Sequence, residues 1–214
     1  MRLFEPKKGC GFTAHYFTDN RTLKENRKVH SFRFSGHLFS FTTDNGVFSK
    51  TGIDYGSQVL LDALCAEKVH GDVLDLGCGY GPVGIILKTV FPDIRLTASD
   101  VNPRACELAE INSADNHIES TVIVSDGFEA LHDDFDLIAV NPPIRAGKKV
   151  VYRMFEDSYE HLRENGIFMA VIRRSQGAES AIRRLQEIFG SCETVLRDRG
   201  YWVLKSEKQT KQTQ

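Results

Sequence analysis

The 214-residue chain lacks any apolar run long enough to cross a bilayer, and its start, Met1 to Phe12, lacks the apolar core of a signal peptide. These absences exclude a spanning helix and point to a cytoplasmic protein with no membrane partner. Cysteine is sparse and unpaired in pattern: Cys10, Cys65, Cys78, Cys106 and Cys192 are odd in number, widely scattered and without a C-x-x-C spacing. That pattern excludes a zinc cluster or a redox pair and leaves free thiols in a reducing compartment, with no metal expected. Net charge is small, formally -2, so any contact with nucleic acid must come from a local basic patch. There is no internal repeat and no low-complexity segment.

Hydrophobic residues make up 41% of the chain, enough for one substantial core and one domain. Residues 1–12 mix charge, glycine and proline without periodicity and read as a flexible extension. The domain then runs over 13–206, with a polar, frayed tail at 207–214. Within it, 13–50 form a small antiparallel unit: Phe32 and Phe34 alternate with polar residues, Gly36 interrupts, Phe39 and Phe41 resume, and Asp44-Asn45-Gly46 turns the chain. Over 51–206 the pattern alternates strand and helix. A helix over Tyr55 to Glu67 leads to strand Val73-Leu74-Asp75-Leu76, after which strands are expected at Ile94–Ser99, Thr121–Val124, Phe135–Val140 and Ile167–Ile172. Helices at Pro103–Ala114, Lys149–Leu162 and Ala178–Phe189 intervene. This alternation predicts an α/β, mostly parallel sheet covered on both faces. The closing strands, Glu193–Arg197 and Tyr201–Lys205, are joined too tightly for a parallel crossover and must form an antiparallel hairpin.

The chain is organised around Asp75-Leu76-Gly77-Cys78-Gly79-Tyr80-Gly81, a glycine turn between a buried strand and a helix opening at Pro82. Glycines there allow close approach of a ligand to backbone, and Pro82 gives up only an N–H that a helix start leaves unpaired. Cys78 reads as a small loop residue, not a nucleophile, because no histidine stands near it in sequence. In open sheets ligands bind beyond the C-terminal strand ends. Those ends carry Asp75, Asp100-Val101, Asp126-Gly127, Asn141-Pro142-Pro143 and Arg173-Arg174. Asp100 is placed to accept from a ribose diol or to cap the helix at Pro103, a task open to Asn102 as well. Asp126 is placed to accept from an adenine amino group or to cap the turn through Leu131. Gly79-Tyr80-Gly81-Pro82-Val83-Gly84 also satisfies the dinucleotide pattern G-x-G-x-x-G, which makes a dehydrogenase the first rival. Against it stand Asp75, placed before the glycines where a carboxylate can meet a cationic amino group, the closing hairpin, and Asn-Pro-Pro.

The acidic residue followed by Gly77, Gly79 and Gly81 resembles the first motif of the class I S-adenosylmethionine-dependent methyltransferases. The resemblance implies a Rossmann-like fold, a seven-stranded mostly parallel sheet with an antiparallel last strand. It also implies that the cofactor lies on Asp75, Gly77, Cys78, Gly79, Gly81, Asp100, Val101, Asp126, Gly127 and Asn141. Asn141-Pro142-Pro143 then supplies the chemistry. A residue before proline is held extended and neither proline donates an N–H, so the Asn141 oxygen and the Pro142 carbonyl present acceptors for the two hydrogens of an exocyclic amine. Positive charge gained by the attacking nitrogen is stabilised by those acceptors, with no metal or acid–base pair required.

The longer string from Asn141 to Lys148, together with Ile172-Arg173-Arg174-Ser175-Gln176-Gly177-Ala178 and His15-Tyr16-Phe17, resembles the RsmC-like small-subunit rRNA guanine-N2 methyltransferases, in particular their short single-domain members. It implies RNA, either naked or in the assembled subunit, as the partner. Ile144 stands where most related motifs carry an aromatic ring and would offer an apolar wall to the target base. Arg145, Lys148, Lys149 and Arg153 after the motif, and Arg173 and Arg174 at the fifth strand, are expected to flank the mouth and meet phosphates. The alternatives are a DNA-adenine or protein-glutamine N-methyltransferase and a non-catalytic RNA-binding module that retains the cofactor pocket.

Overall fold

The computed structural model describes residues 24–49 and 51–210. The predicted extension over 1–12, Cys10 and the His15-Tyr16-Phe17 string lie outside these residues. The first described unit is the expected hairpin. β1 (Lys28–Phe34) pairs antiparallel with β2 (His37–Thr43), with Phe32 opposite Phe39. Ser35 and Gly36 link them, both at positive φ (46° and 80°), the handedness that lets a two-residue turn follow strand twist. Phe39 and Phe41 are buried and their rings stack at 5.9 Å, so this face is packing surface for the main core.

The remaining strands are β3 (Asp72–Leu76), β4 (Arg95–Asp100), β5 (Thr121–Val124), β6 (Phe135–Val140), β7 (Leu162–Arg173), β8 (Glu193–Asp198) and β9 (Tyr201–Glu207). They form one seven-stranded sheet in the order β5-β4-β3-β6-β7-β9-β8, parallel throughout except for β9, which runs antiparallel to both its neighbours. Alternation along the central strands divides the core. Val73, Leu137, Ala139, Met169 and Val171 face a cluster that includes α1 (Tyr55–Leu64), α2 (Pro82–Val90) and the hairpin aromatics. Leu74, Ile138, Val140, Phe168 and Ala170 face α4 (Lys148–Glu160) and α5 (Ala178–Phe189) on the other side. Among the described residues no helix is long and apolar enough to cross a membrane.

Two boundaries differ from expectation. β7 begins at Leu162, before the expected Ile167, because Phe135 pairs with Leu162 and the register then shifts so that Leu137 meets Ile167. The intervening Arg163-Glu164-Asn165-Gly166 carries no strand periodicity, so pattern alone places it outside the strand. At the other end β9 includes Glu207, and Lys208 donates its N–H to the Gly166 carbonyl (3.0 Å), so the sheet holds two residues that sequence assigned to a frayed tail.

The hairpin docks through asparagine side chains of α3 (Pro103–Asp115) and its C-cap. Asn112, fully buried, accepts from Thr42 N (2.6 Å) and donates to the carbonyls of Thr42 (3.0 Å) and Tyr80 (2.8 Å). Asn116 bonds Ser40 in the same two-way fashion. One amide thus satisfies the β2 edge and the carbonyl of a glycine-loop residue. Asn112→Ala strands buried polar groups on both and is expected to cost about 2–4 kcal/mol, read as a lowered denaturant midpoint with unchanged slope.

Candidate active site

Because β3, β4, β5, β6 and β7 are parallel, their C-terminal ends open on one edge, and the sequence-predicted residues from all five stand along it. The glycine turn is built from β3 outward. Gly77 N and Cys78 N both donate to the Ser99 carbonyl (2.8 and 2.9 Å), Gly79 N donates to Asp100 Oδ2 (2.9 Å), and Gly81 N closes on the Cys78 carbonyl (2.9 Å). Gly77 and Gly79 have positive φ (72° and 58°), and a Cβ added at either meets nothing within 4 Å. The space they leave is open, as a ligand-facing cradle requires. Gly81 (φ 87°) meets a packing need instead: a Cβ there lies 3.2 Å from the Ala109 Cβ.

Two carboxyls flank this turn. Asp75 is 4% exposed, and its Oδ2 accepts from Gly84 N at 2.9 Å. Burial pushes its carboxyl up to about 7, with repulsion from Asp100 adding and the Gly84 N–H opposing. Asp100 is raised by the same desolvation and held down by the N–H groups of Asn102, Gly79 and Val101. The helix-capping task falls to Asn102, whose side chain accepts from Arg104 N (3.1 Å). Asp100 therefore holds the glycine loop, through Gly79. Cys78 is buried against Cys106, and that hydrogen bond together with burial drives its thiol far above its ordinary range, so it is a neutral packing group. Buried carboxyls around an open glycine cradle suit a cationic ligand.

At β5 one of the two roles open to Asp126 falls away. Asp126 does not cap the following turn; the Ser125 hydroxyl accepts from Ala130 N (3.0 Å), and the Asp126 carboxylate pairs with Arg153 of α4 (3.0 Å). Arg153 also faces Asp157 (3.6 Å), so two half-exposed carboxylates share its charge. Sequence spacing gave no sign of this, because 27 residues separate Arg153 from Asp126.

At β6 the loop adopts a defined turn. Pro143 sits at φ -74°, ψ 77°, and Ile144 N donates to the Pro142 carbonyl (2.8 Å), an inverse γ-turn. One lone pair of the Pro142 carbonyl is thereby used and one remains. The Asn141 side chain is fixed from α1. Its Nδ2 donates to Asp54 Oδ1 (3.2 Å) and to Ser57 Oγ (3.1 Å). Asp54 is itself the N-cap of α1, accepting from Ser57 N (3.2 Å) and from the Ser57 hydroxyl (2.7 Å). A carboxylate only accepts, so the NH2 end of Asn141 must face Asp54, and Oδ1 has no partner among the described residues. Gly56 completes the fit, since a Cβ there lies 3.0 Å from Asp54 Oδ1 and 3.1 Å from the Tyr201 ring. Asp54 and Ser57 are functional candidates that sequence reading missed, although the N-cap pattern Asp-x-x-Ser before an apolar helix was present.

The remaining predicted residues lie around this point. Ile144 is half-buried against the α4–α5 side of the core, in a short 3-10 turn with exposed Arg145. Lys148 is exposed at the start of α4. Arg173 and Arg174 lie over the rings of Tyr201 and Trp202, each at 5.7 Å.

Strand order, the single reversed strand and a glycine cradle after the first parallel strand define the fold of a class I methyltransferase, and S-adenosylmethionine is its cofactor. The chain belongs to the methyltransferase small domain family, whose model matches residues 38–205. The dehydrogenase rival falls with that assignment. Among similar proteins, the uncharacterized protein YbxB of Bacillus subtilis (strain 168) is 43% identical over 199 residues, covering 92% of this chain and 99% of its own. The ribosomal RNA small subunit methyltransferase C of Actinobacillus pleuropneumoniae is 43% identical over 112 residues, 52% of this chain and 34% of its own. The solved T. thermophilus 16S rRNA N2 G1207 methyltransferase, in complex with AdoMet and guanosine, superimposes with TM-score 0.78 at 28% identity, over 86% of this chain and 51% of that one. The chain thus spans about a third to a half of the length of these two methyltransferases.

Proposed function

We propose that this chain transfers a methyl group from S-adenosylmethionine to the exocyclic N2 of a guanine in small-subunit rRNA, in the cytoplasm. The observation that supports the reading is the fixed amide of Asn141, whose oxygen has no partner among the described residues and precedes in sequence the Pro142 carbonyl with its unused lone pair. Two acceptors suit an amine with two hydrogens and reject a carbonyl at the same place. When bound, the cofactor supplies an electrophilic methyl on a cationic sulfur. The backbone at Gly77, Cys78, Gly79 and Gly81 would cradle it, Asp75 would face its ammonium group, Asp100 with Val101 its ribose, and Asp126-Gly127 its adenine. Asn141 and Pro142 orient the nitrogen lone pair and stabilise the positive charge that nitrogen gains. Pro143 holds the turn that aims them, and the proton leaves the methylated amine afterwards.

A flipped or unpaired base is the required substrate, because the acceptors lie at the strand ends. Ile144 would form its apolar wall. Arg145, Lys148, Arg173 and Arg174 would meet flanking phosphates, and Lys148 stands at the positive end of α4, where a cation opposes the helix dipole and so does not serve stability. Labelled cofactor offered with small-subunit rRNA, naked and assembled with ribosomal protein, followed by nucleoside identification, tests the proposal. Label in N6-methyladenine or in glutamine would refute it in favour of the related amino-group methyltransferases. Cofactor binding without transfer to any RNA would leave a non-catalytic binding module.

The role of Asp54 gives a separate expected result. Asp54→Ala frees the Asn141 amide to rotate and is expected to lower turnover about 10–100-fold with cofactor affinity unchanged. Asp54→Asn keeps an acceptor oxygen and should recover most of it. Combined with Asn141→Ala, Asp54→Ala should add no further loss, the non-additivity of residues acting through one group. Additive losses would show that Asp54 acts elsewhere.

A further inference from the structure

A cleft of about 640 Å³ opens beside the mouth, between the end of β7, the start of α5 and the turn joining β8 to β9. Arg173, Arg174, Arg183 and Arg199 line it, with Glu179 as the acidic residue among its lining. That carboxylate lies 3.6 Å from Arg174. Arg173, Arg183 and Arg199 have no carboxylate partner among the described residues, whereas Arg95, Arg104, Arg153, Arg163 and Arg184 elsewhere are each ion-paired. In a chain of net charge -2 an unneutralised arginine cluster is a local concentration of field. The floor adds to it, for α5 begins at Gly177 without a side-chain cap and turns its positive end to the cleft.

A relay of contacts links the cleft to Asn141. Arg173 pairs with Tyr201 across the β7–β9 ladder, the Tyr201 ring lies 5.8 Å from Tyr55, and Tyr55 follows Asp54, the partner of Asn141. Arg199 covers the Tyr55 ring at 5.1 Å, and Arg197 covers Trp202 at 4.5 Å. Arginines interleaved with aromatic rings match a single strand, whose phosphates meet guanidinium forks while its bases find stacking faces.

We propose that this cleft binds the phosphodiester backbone of the RNA strand that carries the target base, on the side of that base toward α5. Arg183 and Arg199, which sequence pattern assigned no role in binding, are its recognition residues with Arg173. The inference rests on RNA being the substrate, as argued above. It also specifies where the strand runs: from the Asn141 acceptors, over Tyr55 and Tyr201, into the arginines.

Fluorescence anisotropy of a labelled small-subunit rRNA fragment, without cofactor, between about 50 and about 300 mM salt tests the cleft apart from the chemistry. Arg183→Ala/Arg199→Ala should weaken binding about tenfold and reduce the log–log salt slope by about 1.4, two phosphate contacts at about 0.7 each. Arg183→Lys/Arg199→Lys should keep the slope, because the charge remains. Arg183→Glu alone removes no ion pair or ring contact and should weaken binding at unchanged thermal midpoint and cofactor affinity. Unchanged affinity and slope in the double alanine variant would overturn the proposal. Displacement of RNA by polyglutamate at equal charge concentration would overturn it in favour of an acidic protein surface. A wild-type protein that binds RNA with the full slope but methylates none would refute the proposed activity and leave the cleft standing.

Discussion

Replacing Asn141 by alanine should lower methyl transfer about 10²–10³-fold while leaving the affinity for S-adenosylmethionine within about twofold of wild type. The asymmetry follows from the geometry. The Nδ2 of Asn141 is spent on Asp54 and Ser57; in the proposed role the side chain would act through its one remaining oxygen, which would interact most strongly as the attacking nitrogen becomes positive. An interaction strongest in the transition state appears in kcat more than in binding. Calorimetric titration of the cofactor and single-turnover transfer to RNA give the two numbers. A large loss of cofactor affinity with unchanged single-turnover rate would show that the amide serves the cofactor and not the acceptor. Asn141→Asp is the sharper variant, because Asp54 would then confront a second carboxylate at hydrogen-bond distance and displace the loop.

Asp75 should reveal itself through pH. Its carboxyl in the folded protein titrates at about 7 instead of the usual 3.8 because it is buried. The folded state therefore holds a proton that the unfolded chain has already released, over the window between about pH 4 and about pH 7. Stability from this group is fully present below pH 4 and is lost as pH rises through 7, after which it is flat. Asp75→Asn keeps an acceptor for Gly84 N and removes the buried charge. It should raise stability at pH 8 by an amount on the order of 2–4 kcal/mol, seen as a higher thermal midpoint, and leave it nearly unchanged at pH 4. The same variant should bind cofactor about 10–100-fold more weakly, since a buried carboxylate facing an ammonium group is a charge-assisted pair. In the wild type, cofactor binding at pH 6 should release close to one proton, seen as a dependence of binding enthalpy on buffer ionisation, and at pH 8.5 close to none. Absence of proton release at pH 6 would remove Asp75 from the cofactor site.

The sequence carried the frame of this protein because its frame is local. Strand, glycine turn and helix follow one another within Val73 to Leu87, so period and turn chemistry suffice, and parallel pairing then brings Asp75, Asp100 and Asn141 to one edge without further information. The closing hairpin was legible for the same reason, as Arg199 and Gly200 leave no room for a crossover. What sequence did not reveal lies in pairings across distance. Asp54 meets Asn141 over 87 residues and Asn112 meets Thr42 over 70. Asp126 pairs with Arg153 over 27 residues, a contact that spacing did not signal. Arg183 is a further case: the helix splits it from adjacent Arg184, which pairs with Glu156 and Glu187 while Arg183 lines the cleft, a difference that the local sequence does not carry.

Asn112 has a consequence for the order in which the molecule is made. Its amide closes the β2 edge and anchors the Tyr80 carbonyl in the same act, and the residues it joins are 70 and 32 apart in the chain. Contacts of such separation form late, since each requires a long loop to close first. Before that step the glycine turn has its own hydrogen bonds but not its anchor. The glycine loop is therefore anchored only where α3 and the hairpin have docked, so a change that loosens the hairpin should loosen the loop as well.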